Sequence, residues 1–204
     1  MYRKLIAIAV VAAVGVALQA CGMKPSPQDS CNFVQNSELQ RVSWGAQTPV
    51  IVYIDSSVPA PFFDAINTAA EEWNRAVGRE VLKIGGWVNR TGGPMQDRQN
   101  VIYYLGDWEP ERPTEQARTT VYWAGDRVYE ADIRLNGRNF NFFWGDDPVA
   151  GRVDIQSLVL HELGHVLGLA HNATPQSVMA KSLPSATLRR NLSADDENSI
   201  RCEY

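Results

Sequence analysis

The chain of 204 residues contains 45% hydrophobic and 21% charged residues, which are proportions typical of a globular protein with one well-buried core. Its formal net charge is −4, and no dense block of Lys and Arg is present, so the composition argues against a nucleic-acid-binding protein.

The first 20 residues have the organisation of a secretory signal peptide. A short basic head, Tyr2-Arg3-Lys4, precedes an uncharged apolar run over residues 5–18. That run is shorter than the roughly 20 residues that a helix needs to span a bilayer. We therefore predict a signal peptide over residues 1–20, with a membrane anchor helix as the alternative.

The end of this segment, Leu18-Gln19-Ala20-Cys21, resembles the lipobox of bacterial lipoproteins. The resemblance implies that Cys21 is lipidated and becomes the first mature residue, and that residues 21–48 form a tether and N-terminal segment. The residue after the cysteine is Gly22 and not Asp, which resembles lipoproteins that are sorted to the outer membrane. The expected location is the cell envelope, with the lipid as membrane anchor. The alternative is an ordinary signal peptide, which gives a periplasmic or secreted protein.

Two cysteines remain after Cys21, namely Cys31 and Cys202. An even number of cysteines in an exported chain predicts one disulfide, here between the start and the end of the mature domain. The alternative is that Cys31 is a free thiol that blocks a metal site.

The first half of the mature chain alternates strands with one helix. The β-branched run 50–54 predicts a strand, and apolar residues at spacings of three and four over residues 59–77 predict an amphipathic helix that ends at Gly78. Residues 80–84, before Gly85-Gly86, and residues 100–105 predict two more strands.

The second half predicts a hairpin and two helices. Residues 119–123 and 127–135 flank a short turn that contains Gly125. A helix is expected from Asp154, a favourable N-cap, and a short last helix from Ser193. The expected fold over residues 49–204 is α+β, a mixed twisted sheet with an active-site helix and a C-terminal helix.

All three histidines of the chain lie in one window of eleven residues, "HELGHVLGLAH". His161 and His165 are four residues apart, so a helix directs both imidazoles to one point, as Zn²⁺ requires. Glu162 lies beside them, where it can act as a general base on a zinc-held water without being a ligand.

The third histidine, His171, needs a turn in the chain to reach the same point. Gly168 is able to adopt the left-handed conformation that ends the helix and returns His171. Three ligands leave a fourth position for water, as in catalytic zinc sites. The alternative is an amphipathic helix with solvated or buried histidines and no metal.

The motif H-E-x-x-H-x-x-G-x-x-H is similar to that of the metzincins, and residues 50–200 look most like the catalytic domain of matrixins. The resemblance implies a metzincin-like fold, zinc endopeptidase activity and a methionine, here Met179, beneath the metal. It also implies that Asp195 or Asp196 supports the turn that contains Met179. The alternative for these two acids is a solvated helix start.

The resemblance further implies one catalytic zinc and a protein or peptide substrate that extends along strand 119–123. We also expect a monomer. Animal matrixins carry a second zinc held by histidines, but no histidine remains for one here. For calcium the sequence offers only a weak hint, Asp146-Asp147. The competing hypothesis is a catalytically silent zinc-containing surface lipoprotein that acts as a scaffold or binding protein. A third hypothesis is an enzyme that hydrolyses a non-protein amide.

Overall fold

The computed structural model of the protein describes residues 31–90 and 92–204. The predicted signal peptide over residues 1–20 and the predicted lipidation of Cys21 lie outside the described residues and stay predictions. Within the described ranges, no helix has both the length and the apolar character needed to cross a membrane.

The centre of the fold is a five-stranded mixed sheet. Its strands are β1 Val50–Asp55, β2 Leu82–Val88, β3 Asn100–Leu105, β4 Ala117–Ala124 and β5 Arg127–Asn136. Their spatial order is β2-β1-β3-β5-β4. The first four strands in this order are parallel, and β4 pairs antiparallel with β5 at the sheet edge. This sheet and its helices confirm the predicted α+β fold.

Two short strands and three helices complete the described elements. Strand β6, Phe142–Phe143, pairs with β7, Val153–Asp154. The helices are α1 Phe63–Val77, preceded by a 3-10 turn at Ala60–Phe62, then α2 Ile155–Val166 and α3 Ala194–Ile200.

Helices α1 and α2 pack together through a buried tryptophan of α1. The buried residues of α1 recur at spacings of three and four, and Gly78 ends the helix with a φ of 79°. Trp73 is fully buried, and its Nε1–H donates a 2.9 Å hydrogen bond to the carbonyl of Leu160 in α2. Because a buried indole N–H needs a partner, this bond fixes the position of α2 relative to α1.

The predicted end of the second strand at Gly85-Gly86 is wrong. Strand β2 continues through both glycines to Val88, and its register against β1 shifts between Val52 and Ile54. A Cβ at Gly85 would lie 2.6 Å from the Tyr53 ring. The glycine therefore makes room for an aromatic side chain of β1, and does not mark the end of the strand.

The predicted disulfide between Cys31 and Cys202 is present, with an S–S distance of 2.03 Å. It joins the first described residue to the end of the chain, 171 residues apart. Cys31 is therefore not a free thiol in this structure, which argues against the hypothesis that it blocks a metal site.

A buried carboxylate in β5 makes the stability of the fold depend on pH. Asp132 is 2% exposed, and burial raises its pKa to about 7, helped by repulsion from Glu130. This pKa lies above the unfolded value of about 3.9, so the fold favours the protonated carboxyl. The stability that protonated Asp132 contributes is fully present below about pH 4 and is lost as the pH rises through about 7.

We expect Asp132→Asn to raise the melting temperature by about 5 °C at pH 8, and to change it little at pH 4. An asparagine oxygen can still accept the 3.0 Å hydrogen bond from the Val101 N–H, so the fold keeps this contact. Thermal unfolding at both pH values measures the effect. An equal shift at pH 4 and pH 8 would contradict the titration of Asp132.

Candidate metal centre

The helix that carries the first two histidines begins at a buried cap. Asp154, the N-cap of α2, accepts a 3.0 Å hydrogen bond from the Ser157 N–H. Its carboxylate also accepts from Nε and Nη2 of Arg190, at 2.8 and 2.6 Å. A bidentate ion pair of this kind fixes the relative orientation of the two side chains. It therefore connects the start of α2 to the segment before α3.

The end of α2 has the hydrogen bonds of a Schellman motif. The N–H of Leu169 donates to the carbonyl of Gly164 at 2.9 Å, and that of Gly168 donates to the carbonyl of His165 at 3.0 Å. Gly168 has a φ of 99°, and a Cβ there would lie 2.3 Å from the backbone oxygen of Val42. Positive φ and close packing both require glycine at this position.

The turn brings all three histidines together. Nε2 of His165 lies 3.0 Å from Nε2 of His161 and 3.3 Å from Nε2 of His171. A tetrahedral zinc site with bonds of about 2.0–2.1 Å places neighbouring nitrogens about 3.3 Å apart. The spacing of these atoms therefore fits one zinc ion.

Backbone carbonyls orient two of the rings. Nδ1–H of His161 donates to the carbonyl of Val178 at 2.7 Å, and Nδ1–H of His165 donates to that of Leu169 at 2.8 Å. Each ring thus keeps its proton on Nδ1 and presents the Nε2 lone pair to the shared point.

Burial keeps the imidazoles neutral in the metal-free chain. Desolvation lowers the pKa of His161 and of His165 to about 4. It also lowers the pKa of the more exposed His171, and the nearby Lys181 ammonium adds to this effect. Since only a neutral imidazole can ligate a metal, all three rings are suited to metal binding at neutral pH.

Glu162 lies beside the histidines and is almost completely buried, with 4% of its surface exposed. Its Oε2 accepts a 2.6 Å hydrogen bond from Oγ1–H of Thr119 in β4. Burial raises the pKa of Glu162, although the neighbouring His165 and the Thr119 hydroxyl oppose this shift. A carboxyl group with a raised pKa can both take up and return a proton.

A turn formed by residues 177–180, called the Met179 turn below, lies beside the histidines and contributes to the lining of the cavity next to them. The Sδ atom of Met179 would lie 2.3 Å from a Cβ at Gly164, so the thioether packs against α2 immediately before His165. Met179 is buried, and its carbonyl accepts a 2.8 Å hydrogen bond from the N–H of Asn172, next to His171. Met179 thus contacts both α2 and the segment that carries His171, and its place beneath a metal stays a prediction.

Asp196 of α3 holds the Met179 turn. Its carboxylate accepts hydrogen bonds from the Ser177 hydroxyl and, at 2.9 Å, from the Val178 N–H. It also forms a capping box with Ser193. Asp195 accepts a bond from a threonine hydroxyl in an exposed position. Of the two acids that the sequence offered, Asp196 contacts the Met179 turn.

A cavity of about 580 Å³ opens beside the three histidines and Glu162. Its walls are α2, the first half of β4 with the residues before it, and the segment 178–189. A ligand that enters this cavity from solvent can therefore reach the histidine rings and Glu162.

The sequence of this region matches a known family. The model of the matrixin family aligns with residues 65–204, which is more than half of the chain. The chain belongs to the matrixin family. Its match extends from α1 to the last residue and includes the histidines and the Met179 turn.

Several matrixin relatives share shorter segments with the chain. Metalloendoproteinase 1 of Glycine max is 40% identical over 57 residues, or 28% of this chain and 19% of the relative. Metalloendoproteinase 2-MMP of Arabidopsis thaliana is 34% identical over 56 residues, which are 28% and 15% of the two chains. Matrix metalloproteinase-2 of Drosophila melanogaster is 35% identical over 80 residues, which are 39% and 10%. The matched segments thus span at most a fifth of these relatives.

Three contacts of this matrixin site were not predicted from the sequence. They are the Thr119 hydroxyl on Glu162, the Asp154–Arg190 ion pair, and the bond of 2.8 Å from Asn32 Nδ2 to the carbonyl of Ala170. The hairpin pattern placed Thr119 in a strand but gave no sign of its partner. Each contact joins residues at least 36 positions apart, which no local spacing reveals.

The calcium hint at Asp146-Asp147 gains no support. Asp146 is exposed and pairs with Arg190 at 3.1 Å. Over residues 31–90 and 92–204, the group of three or more His, Cys, Asp or Glu side chains with closely spaced ligand atoms is the histidine trio.

Proposed function

We propose that this matrixin is a zinc-dependent endopeptidase that uses Glu162 as its general base. The observation that carries the proposal is the convergence of three Nε2 atoms, 3.0 and 3.3 Å apart, beside a buried carboxylate at the wall of an open cavity. The donor set consists of neutral imidazoles alone, which suits zinc. His161, His165 and His171 would hold the ion.

A zinc ion bound there supplies Lewis-acid chemistry, because it polarises a carbonyl group and lowers the pKa of water. Glu162 takes the proton of the attacking water and later delivers it to the leaving amine. The Thr119 hydroxyl holds the carboxylate in place for both transfers. Carbonyls of Val178 and Leu169 hold the rings of His161 and His165 in their ligating orientation.

The substrate is a protein or peptide that extends along β4. This strand lies at the edge of the sheet, and its Thr119 contacts Glu162. An extended peptide can therefore add to the edge by main-chain hydrogen bonds and pass the carboxylate. We propose that the enzyme acts as a monomer.

The proposed location is the cell envelope, with lipid on Cys21 as the anchor. Support comes from the lipobox-like end of the signal segment and from the Cys31–Cys202 disulfide, which is typical of exported proteins. Metabolic labelling with a radioactive fatty acid tests the anchor, and equal labelling of the wild type and a Cys21→Ser variant would rule it out.

The purified protein is expected to hydrolyse unfolded casein, and 1,10-phenanthroline is expected to reduce the rate by at least about tenfold, because chelation removes the Lewis acid. Fluorescence of labelled casein measures the rate. Restoration by added zinc is the control for protein damage. Absence of hydrolysis by the zinc-loaded protein would favour the scaffold hypothesis.

A further inference from the structure

The cavity beside the metal centre has apolar walls over part of its surface. Leu158 of α2, Val178 of the Met179 turn and Leu183 all line it. These residues are buried, so the walls are fixed in position. The cavity therefore has room and apolar surface for the methylene groups of one substrate side chain.

Three cationic side chains line the same cavity, namely Arg118, Lys181 and Arg189, and Arg118 pairs with Glu115. Two hydrogen bonds position Arg189. Its backbone N–H donates to the Ser157 hydroxyl at 2.7 Å, and its guanidinium Nη1 donates to the carbonyl of Ser182 at 3.1 Å. Both of these partners line the cavity. The Arg189 side chain thus lies along the cavity wall.

In the described part of the chain, neither Arg189 nor Lys181 has an acidic partner. No carboxylate in residues 31–90 or 92–204 lies within 4.0 Å of the Arg189 guanidinium or the Lys181 ammonium. A guanidinium has five N–H donors, and the carbonyl of Ser182 satisfies one of them.

The acidic residues of the cavity do not neutralise these cations. Glu115 accepts bonds from Arg112 at 3.0 Å and from Nη2 of Arg118 at 2.5 Å. Glu162 is buried and accepts from the Thr119 hydroxyl. The cavity therefore keeps an excess of positive charge beyond the metal site itself.

We propose that this cavity selects an acidic substrate side chain, preferentially glutamate, next to the bond that is cleaved. The proposal rests on the endopeptidase function and names its substrate class. A glutamate places two methylene groups against the apolar walls and its carboxylate on Arg189, which offers a planar fork of donors. Lys181 adds a second positive charge near the cavity mouth, since its side chain is exposed.

A matched pair of peptides, identical except for Glu or Gln at one position, tests the selection, because the two side chains have the same shape. A peptide library first shows which position near the cleaved bond governs the rate. We expect kcat/KM at least tenfold higher for Glu than for Gln with the wild type. Arg189→Met is expected to reduce this ratio below threefold, and Lys181→Met to reduce it in part.

Arg152→Met is the control, because it removes an exposed arginine outside the cavity lining and should keep the ratio of the wild type. Equal kcat/KM for the Glu and Gln peptides with the wild type, or an unchanged ratio in both Arg189→Met and Lys181→Met, would overturn the proposal.

Binding of the same peptides to the zinc-loaded Glu162→Ala variant separates this proposal from the endopeptidase function. Fluorescence anisotropy is expected to show tenfold tighter binding of the Glu peptide, lost on further replacement of Arg189. That result without any cleavage by the wild type would support the selective cavity and refute the peptidase. Equal binding of both peptides would refute the selection.

Discussion

Glu162→Ala is expected to lower kcat/KM for peptide hydrolysis by about 10³-fold or more, since the variant lacks the group that accepts and returns the proton. Zinc content should stay that of the wild type, because the carboxylate is not among the converging ligand atoms. Steady-state cleavage of a fluorogenic peptide and metal analysis of the same sample measure both quantities.

The fold of this variant should be intact, because burial raises the pKa of Glu162 and its removal relieves a desolvation cost. Glu111→Ala, at an exposed position, is the control for loss of a negative charge and should hydrolyse normally. Activity of Glu162→Ala within about tenfold of the wild type would show that another group acts as the base.

Gly168→Ala is expected to destabilise the protein by about 2–4 kcal/mol and to weaken zinc binding. Its φ of 99° is unfavourable for alanine, and the added Cβ meets the Val42 oxygen at 2.3 Å. Relief of this overlap must move the turn, and with it His171. Urea unfolding measures the stability, and competition with a chromophoric chelator measures the zinc affinity.

Gly78→Ala is the matched control for backbone strain alone. Gly78 has a φ of 79°, but nothing lies within 4 Å of its notional Cβ. We expect a loss of about 1–2 kcal/mol and normal zinc affinity. If Gly168→Ala behaves like Gly78→Ala in both measurements, the close packing at Gly168 has no role in placing His171.

The parts of the site predicted from the sequence depend on local spacing. His161 and His165 are one helical turn apart, and Gly168 had to adopt a left-handed conformation if His171 was to return. The structure places all three as this geometry requires. Asp154 and Ser193 cap their helices as expected, because capping is also a local interaction.

The parts that were not predicted depend on contacts between distant segments. Thr119 meets Glu162 across 43 positions, because β4 pairs with β5 and then lies beside α2. The strand end at Gly85-Gly86 was predicted wrongly because a local pattern cannot show that the Tyr53 ring of a neighbouring strand occupies the space. Tertiary packing overrides the usual role of glycine there.

Zinc K-edge X-ray absorption, combined with metal analysis of the zinc-saturated and desalted protein, tests the proposed metal centre most directly. The structure predicts one zinc per chain with three imidazole nitrogens at about 2.0–2.1 Å, and two such nitrogens in His171→Ala. A protein that retains no zinc at neutral pH, or one whose zinc shell is unchanged in His171→Ala, would contradict it.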